Sequence, residues 1–161
     1  MKAERTIAII GDTGNFCPAL AKQLAGENVR LLFVSNDENR NLEIRKKLGP
    51  EDLLAEIDFT TCEKDGCWEA DVIAFTHPDT IETGMIKRIK EVATQKIVLV
   101  VSEKNDCPKW EGKSNFEELL PHSRVVNVIV DVEAKKVRIL GRDEDARQMV
   151  TGFFEGAGYK I

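Results

Sequence analysis

Four apolar residues, Ile7-Ala8-Ile9-Ile10, run directly into Gly11-Asp12-Thr13-Gly14-Asn15-Phe16, and this junction constrains the fold more than any other stretch. A continuous apolar run, mostly β-branched, reads as a strand buried on both faces, as in a parallel sheet. Gly11 and Gly14 permit a tight turn, and Pro18 to Ala25 reads as the helix that follows. Strand, glycine turn and helix in that order aim backbone N–H groups and a helix N-terminus at a phosphate. The usual fingerprint is G-x-G-x-x-G, whereas Asp12 to Cys17 reads D-T-G-N-F-C. Only the middle glycine is kept, with Gly11 one place early. The motif therefore specifies the architecture more than the ligand.

The same alternation continues along the chain. Val29 to Ser35 reads as a second strand, the polar turn Asn36 to Asn39 leads into a charged helix to Leu48, and Gly49-Pro50 ends it. A short third strand is expected within Leu53 to Phe59, then an acidic helical turn around Cys67 to Ala70, then a fourth strand from Asp71 to Thr76 that stops at His77-Pro78. Asp79 or Thr80 can cap the next helix, whose Ile81, Met85, Ile86, Ile89 and Val92 follow the helical period. Lys96 to Ser102 is a fifth buried strand, Glu103 to Lys113 a polar loop, and Ser114 to Glu117 a capping box opening a short helix to Leu120. Val125 to Val130 and Val137 to Leu140 are separated by a connection short enough for a hairpin, so an antiparallel edge is expected. The last helix starts at Asp143, puts Ala146, Met149, Val150, Phe153 and Phe154 on one face, and ends at Gly156 and Gly158; Tyr159 to Ile161 reads as a final edge strand.

Alternating strands and helices of this kind build βαβ units. The expected fold is α/β: a doubly wound, mostly parallel sheet with an antiparallel edge, in a three-layer αβα arrangement, with residues 1–161 forming a single domain. Ligands of such sheets sit at the carboxyl ends of the strands, where the strand order reverses. That gathers Gly11 to Phe16, Ser35 to Asp37, Thr76 to Pro78 and Ser102 to Asn105 around one crevice.

Composition narrows the partners. A net charge of −5 with no cluster of lysine and arginine argues against nucleic acid or an anionic membrane surface. No apolar run approaches the ~20 residues of a membrane span. Met1 to Arg5 leads straight into a strand without room for a signal peptide, so a cytoplasmic protein is expected. Cys17, Cys62, Cys67 and Cys107 form no C-x-x-C pair, and no histidine stands near Cys62 and Cys67. Free thiols and no metal site are expected. Cys17, at a helix start, either has a lowered thiol pKa or fills the space where helix meets strand.

Three segments, Ile9 to Phe16, Ala70 to Pro78 and Lys96 to Val100, resemble the deazaflavin (coenzyme F-420)-dependent NADP oxidoreductases, and Gly141 to Asp145 before a helix fits the same pattern. The resemblance implies a Rossmann-like domain that binds NAD or NADP. On it, Gly11, Asp12, Thr13, Gly14, Asn15 and Phe16 would hold the pyrophosphate, Ser35, Asn36 and Asp37 the adenosine ribose, and Thr76, His77 and Pro78 would flank the nicotinamide. Three departures from the family matter. Asp12 brings a carboxylate beside the pyrophosphate, where two like charges ~4–5 Å apart in a partly desolvated loop repel by a few kcal/mol. Cys17 adds a side chain where the third glycine allows close packing. No arginine follows the second strand to take a 2′-phosphate, and Asp37 stands near the spacing of a ribose-binding acid, so NAD and NADP both stay open. Relatives continue into a helical segment for dimerisation and for the second substrate, so a homo-oligomer is expected, with any substrate enclosed by a second subunit or by another protein.

His77 is the acid–base candidate in the crevice, against a plainer role capping the strand end. His122, beside Pro121, is expected in solvent; Glu103 and Asp106 read as solvated loop carboxylates, and Trp68 and Trp110 as core or surface packing. Hydride transfer needs no protein acid or base, because the cofactor carries the chemistry. Two readings follow: an NAD(P)-dependent oxidoreductase passing hydride to or from a small or flavin-like acceptor, and a degenerate binding or regulatory module without catalysis. A thiol sensor built on Cys17 is a third.

Overall fold

The computed structural model describes residues 5–11, 29–34, 39, 42, 46, 56–76, 83–103, 116–131, 133–156 and 158–161. Within them the opening apolar run forms β1 (Arg5–Gly11), and six further strands follow: β2 (Val29–Val34), β3 (Glu56–Thr60), β4 (Val72–Thr76), β5 (Ile97–Glu103), β6 (Arg124–Asp131) and β7 (Lys136–Gly141). They join in one sheet in the order β3-β2-β1-β4-β5-β6-β7, parallel except for the β6–β7 pair. The doubly wound sheet with an antiparallel edge is therefore present. Its strand order reverses between β1 and β4.

Both faces of the sheet are buried. Ile7 and Ile9 enter one core cluster, and Ala8 and Ile10 enter the other, so β1 alternates between two cores. One face is covered by α1 (Glu63–Glu69), α2 (Thr83–Ile89) and α3 (Phe116–Leu119), through Cys67, Met85, Ile86, Ile89 and Phe116. The other receives α4 (Glu144–Gly156), whose Ala146, Val150, Phe153 and Phe154 recur at helical spacing. This is the three-layer αβα arrangement. The expected helix over Pro18 to Ala25, the end of the charged helix at Gly49-Pro50, the cap at Asp79 or Thr80, Ile81 and Ser114-Asn115 lie outside the described residues; residues 39, 42 and 46 are helical.

Local chemistry explains the boundaries. Asp143 caps α4, its Oδ1 accepting from the Ala146 amide at 2.8 Å, while Arg124 pairs with its other oxygen at 2.9 Å. Gly158 takes φ 91°, a left-handed value that suits glycine as the chain turns away from α4. Tyr159 then packs edge-on against Phe154 at 5.5 Å. Beyond it only one parallel bridge forms, Lys136 to Lys160, so the final edge strand expected at Tyr159 to Ile161 is reduced to a single pairing.

The acidic turn expected at Cys67 to Ala70 is longer than the sequence suggests, because α1 already begins at Glu63. Gly66 in its middle has a low helix propensity, yet it is a packing residue. A Cβ there would meet Val34 Cγ2 at 2.7 Å and Thr60 Cγ2 at 3.1 Å, so the helix lies directly on β2 and β3. No basic residue stands in the last turn of α1; Lys96 supplies the charge instead, its Nζ donating to the Cys67 carbonyl and, at 2.6 Å, to that of Trp68. Partial burial beside these carbonyls holds Lys96 below the usual lysine range. Cys67 itself is fully buried and its thiol is pushed up to about 12 by desolvation, whereas Cys62 is exposed.

Two predictions follow from this packing. Gly66→Ala should destabilise the protein by about 1–3 kcal/mol in urea unfolding, whereas Gly152→Ala, on α4 with nothing within 4 Å of its added Cβ, should stabilise it by roughly 0.5–1 kcal/mol. Equal effects would contradict the close approach of α1 to the sheet. In native alkylation at pH 8 followed by peptide mass analysis, Cys62 should be labelled and Cys67 should not, until denaturant is added. Because the folded thiol titrates near 12 and the unfolded one near 9.0, the contribution of Cys67 is complete below pH 9 and falls as the pH rises beyond it.

Candidate functional site

The carboxyl ends of four parallel strands meet along one rim. Ile10 is paired with Val34 of β2, Gly11 with Thr76 of β4, and Thr76 in turn with Val101 of β5. β1 and β4 are adjacent, and the strand order continues from them in opposite directions, which in doubly wound sheets is where ligands bind. Gly11 ends β1 at this point, opposite Thr76.

Of the site residues expected from the sequence, Gly11 and Thr76 lie among the described residues, and the sheet brings them side by side. Asp12, Thr13, Gly14, Asn15, Phe16, Ser35, Asn36, Asp37, His77 and Pro78 lie outside them, as do Cys17, Cys107, Asp106 and Trp110. Thr76 is completely buried, and its Oγ1 donates to the Ile10 carbonyl at 3.4 Å. Its hydroxyl thus joins β4 to β1 at the rim. On β5, Ser102 is also buried, at 3% exposure, and its Oγ has no partner among the described residues.

A second polar cluster was not legible in the sequence. Asn127, in the middle of β6 and fully buried, donates Nδ2 to Glu117 Oε1 on α3 at 3.2 Å. The signal was available in principle, since a single asparagine interrupts the apolar run Val125 to Val130. Further toward the amino end of β6 lies a cavity of about 150 Å³ lined by Glu117, Leu120, Arg124, Arg142 and Asp143 among others. It lies at the opposite end of the sheet from the rim. Arg124 is already held by Asp143 there, and this pairing raises the arginine and lowers the aspartate from their usual ranges. Ligands of doubly wound sheets bind at the carboxyl ends of the strands, so this cavity is a poor match for the fold.

His122 is exposed, and Trp68, 70% exposed on α1, contributes nothing to the rim. Among the described residues no group of three or more His, Cys, Asp or Glu is placed to hold a metal ion, and no helix is long and apolar enough to cross a membrane.

No family model and no curated protein matches the sequence. Solved structures share the fold. Pyrroline carboxylate reductase from Plasmodium falciparum, solved with NADP bound, superposes with a TM-score of 0.68 at 13% identity, covering 100% of this chain and 58% of that one. A putative F-420-dependent NADP-reductase from an Arthrobacter species gives 0.68 at 16% identity, covering 96% of this chain and 81% of the other. A 3-hydroxyacyl-CoA dehydrogenase from Archaeoglobus fulgidus also gives 0.68 at 16% identity, with 98% and 55% covered. The chain thus spans little more than half the length of the first and third of these. At such identities the likeness establishes the fold they share, a Rossmann-type sheet flanked by helices.

Proposed function

We propose that this chain binds a nicotinamide dinucleotide at the Gly11–Thr76 rim and acts as an NAD(P)-dependent oxidoreductase. The observation that carries this reading is the pairing of Gly11 with Thr76 at the point where the strand order reverses. The fold shared with reductases and dehydrogenases, one of them solved with NADP, supports the same reading.

The described rim fits such a ligand. Gly11 leaves the end of β1 free of a side chain, and the Thr76 hydroxyl is engaged with the Ile10 carbonyl, fixing the spacing of the two strands beneath the pyrophosphate. Gly11 to Phe16 would hold the pyrophosphate through backbone N–H groups, Ser35 to Asp37 the adenosine ribose, and Thr76 to Pro78 the edge of the nicotinamide. When bound, the dinucleotide supplies the hydride chemistry itself. The protein's part is to bind, orient and exclude water, and His77 is the residue on this chain placed by sequence to move a proton. The resemblance further suggests a homodimer in which a second subunit closes the acceptor pocket.

Asp12 and Cys17, in place of fingerprint glycines, favour a second reading: a binding module that has lost catalysis. Titration with NADH, NADPH, NAD+ and NADP+, followed by tryptophan fluorescence and thermal shift, separates the two. We expect saturable binding below 1 mM for at least one reduced form, and Asp12→Gly should tighten it about tenfold by removing a carboxylate beside the pyrophosphate. No response to any of the four would end the dinucleotide reading. Binding without turnover across a panel of small carbonyl and flavin acceptors would favour the module.

A further inference from the structure

Ser102 presents a hydroxyl with no visible use. It is the penultimate residue of β5, it is 3% exposed, and its Oγ finds no hydrogen-bond partner among the described residues. Buried hydroxyls are almost always paired, since water is lost without compensation otherwise, so each exception calls for an explanation.

Its direction follows from the strand. Val98 and Val100 of β5 face the layer of α1, α2 and α3, and Ser102 continues that alternation. On the same face of β6, Asn127 stands opposite Val100 and meets its polar demand at Glu117. Ser102 stands one step nearer the rim, opposite the half-buried Ile129, with no polar group of β6 across from it. Among the described residues this face is thus apolar at Val98 and Val125, internally satisfied at Asn127, and unsatisfied at Ser102, where β5 nears its carboxyl end.

Its position in the sheet indicates what could satisfy it. With a pyrophosphate at the end of β1 and the adenosine over β2, the other half of a dinucleotide extends over β4 and β5. Neighbouring strands are ~4.8 Å apart, which puts the end of β5 roughly 10 Å from that of β1, within reach of a ribose and a planar ring. We infer that the Ser102 hydroxyl is a positioning group for the nicotinamide half of the ligand, hydrogen-bonded to its carboxamide. This inference rests on the dinucleotide reading above.

The test compares wild type, Ser102→Ala and Ser102→Cys for binding of NADH or NADPH, and of ADP-ribose or its 2′-phosphate, which lack the nicotinamide. Loss of one neutral hydrogen bond should weaken binding of the reduced dinucleotide about three- to tenfold in Ser102→Ala. ADP-ribose should bind all three proteins equally. Ser102→Cys, similar in size and a weaker donor, should fall between. The melting temperature of ligand-free Ser102→Ala should equal or exceed that of wild type, because an unpaired buried hydroxyl is removed. Unchanged dinucleotide affinity in Ser102→Ala would overturn the assignment while leaving the dinucleotide reading intact. So would a lowered melting temperature with equal losses for both ligands, which would mark a bond inside the protein. Should wild type bind neither NADH nor NADPH, the dinucleotide reading fails first and this inference with it.

Discussion

The structure depends on β1 being hydrogen-bonded on both sides and buried on both faces. Its register to β2 runs from Arg5 to Ile10, and its register to β4 from Ile7 to Gly11. Ile7, Ala8, Ile9 and Ile10 are each no more than 6% exposed. Burying each large side chain contributes roughly 1.5–3 kcal/mol, and slipping the register by one residue would exchange the two cores. A strand so constrained has little freedom in where it ends. Gly11 is therefore delivered beside Thr76 by the same packing that holds the sheet together.

Much of this was written in the sequence. The unbroken apolar runs of β1, β4 and β5 named buried parallel strands, and the three residues Glu133 to Lys135 named the hairpin, where Asp131 Oδ1 accepts from the Ala134 amide and Lys135 takes φ 51°. The spacing of Ala146, Val150, Phe153 and Phe154 gave the face of α4. What escaped were features decided by distant contacts. Glycine has a low helix propensity, and propensity carries no information that β2 and β3 leave no room for a side chain at Gly66. Lys96 reads only as the start of the fifth strand, although it caps a helix that ends 27 residues earlier in the chain. The candidate site was legible as a location, through strand order. The role of Ser102 was not, since an unpaired hydroxyl can be recognised only once its surroundings are known.

Each end of the sheet holds one buried polar atom without a partner among the described residues: Arg147 Nε of α4, beside Gly141, and Ser102 Oγ on β5. At the amino end of β6 and the start of α4, charges answer one another within the protein: Arg124 with Asp143, and Asp143 again with the α4 amides. Toward the carboxyl rim, Thr76 is bonded to the backbone and Ser102 is left open. A folded protein tolerates such an open group most readily where a ligand completes it.

The most direct test of this account is amide hydrogen exchange, read by mass spectrometry with and without saturating NADH or NADPH. The account predicts slowed exchange concentrated in residues 9–16, 34–37, 75–78 and 101–105, with residues 117–125 and 141–145 unchanged. Protection centred on the Arg124–Asp143 cavity instead, with the rim unaffected, would contradict it.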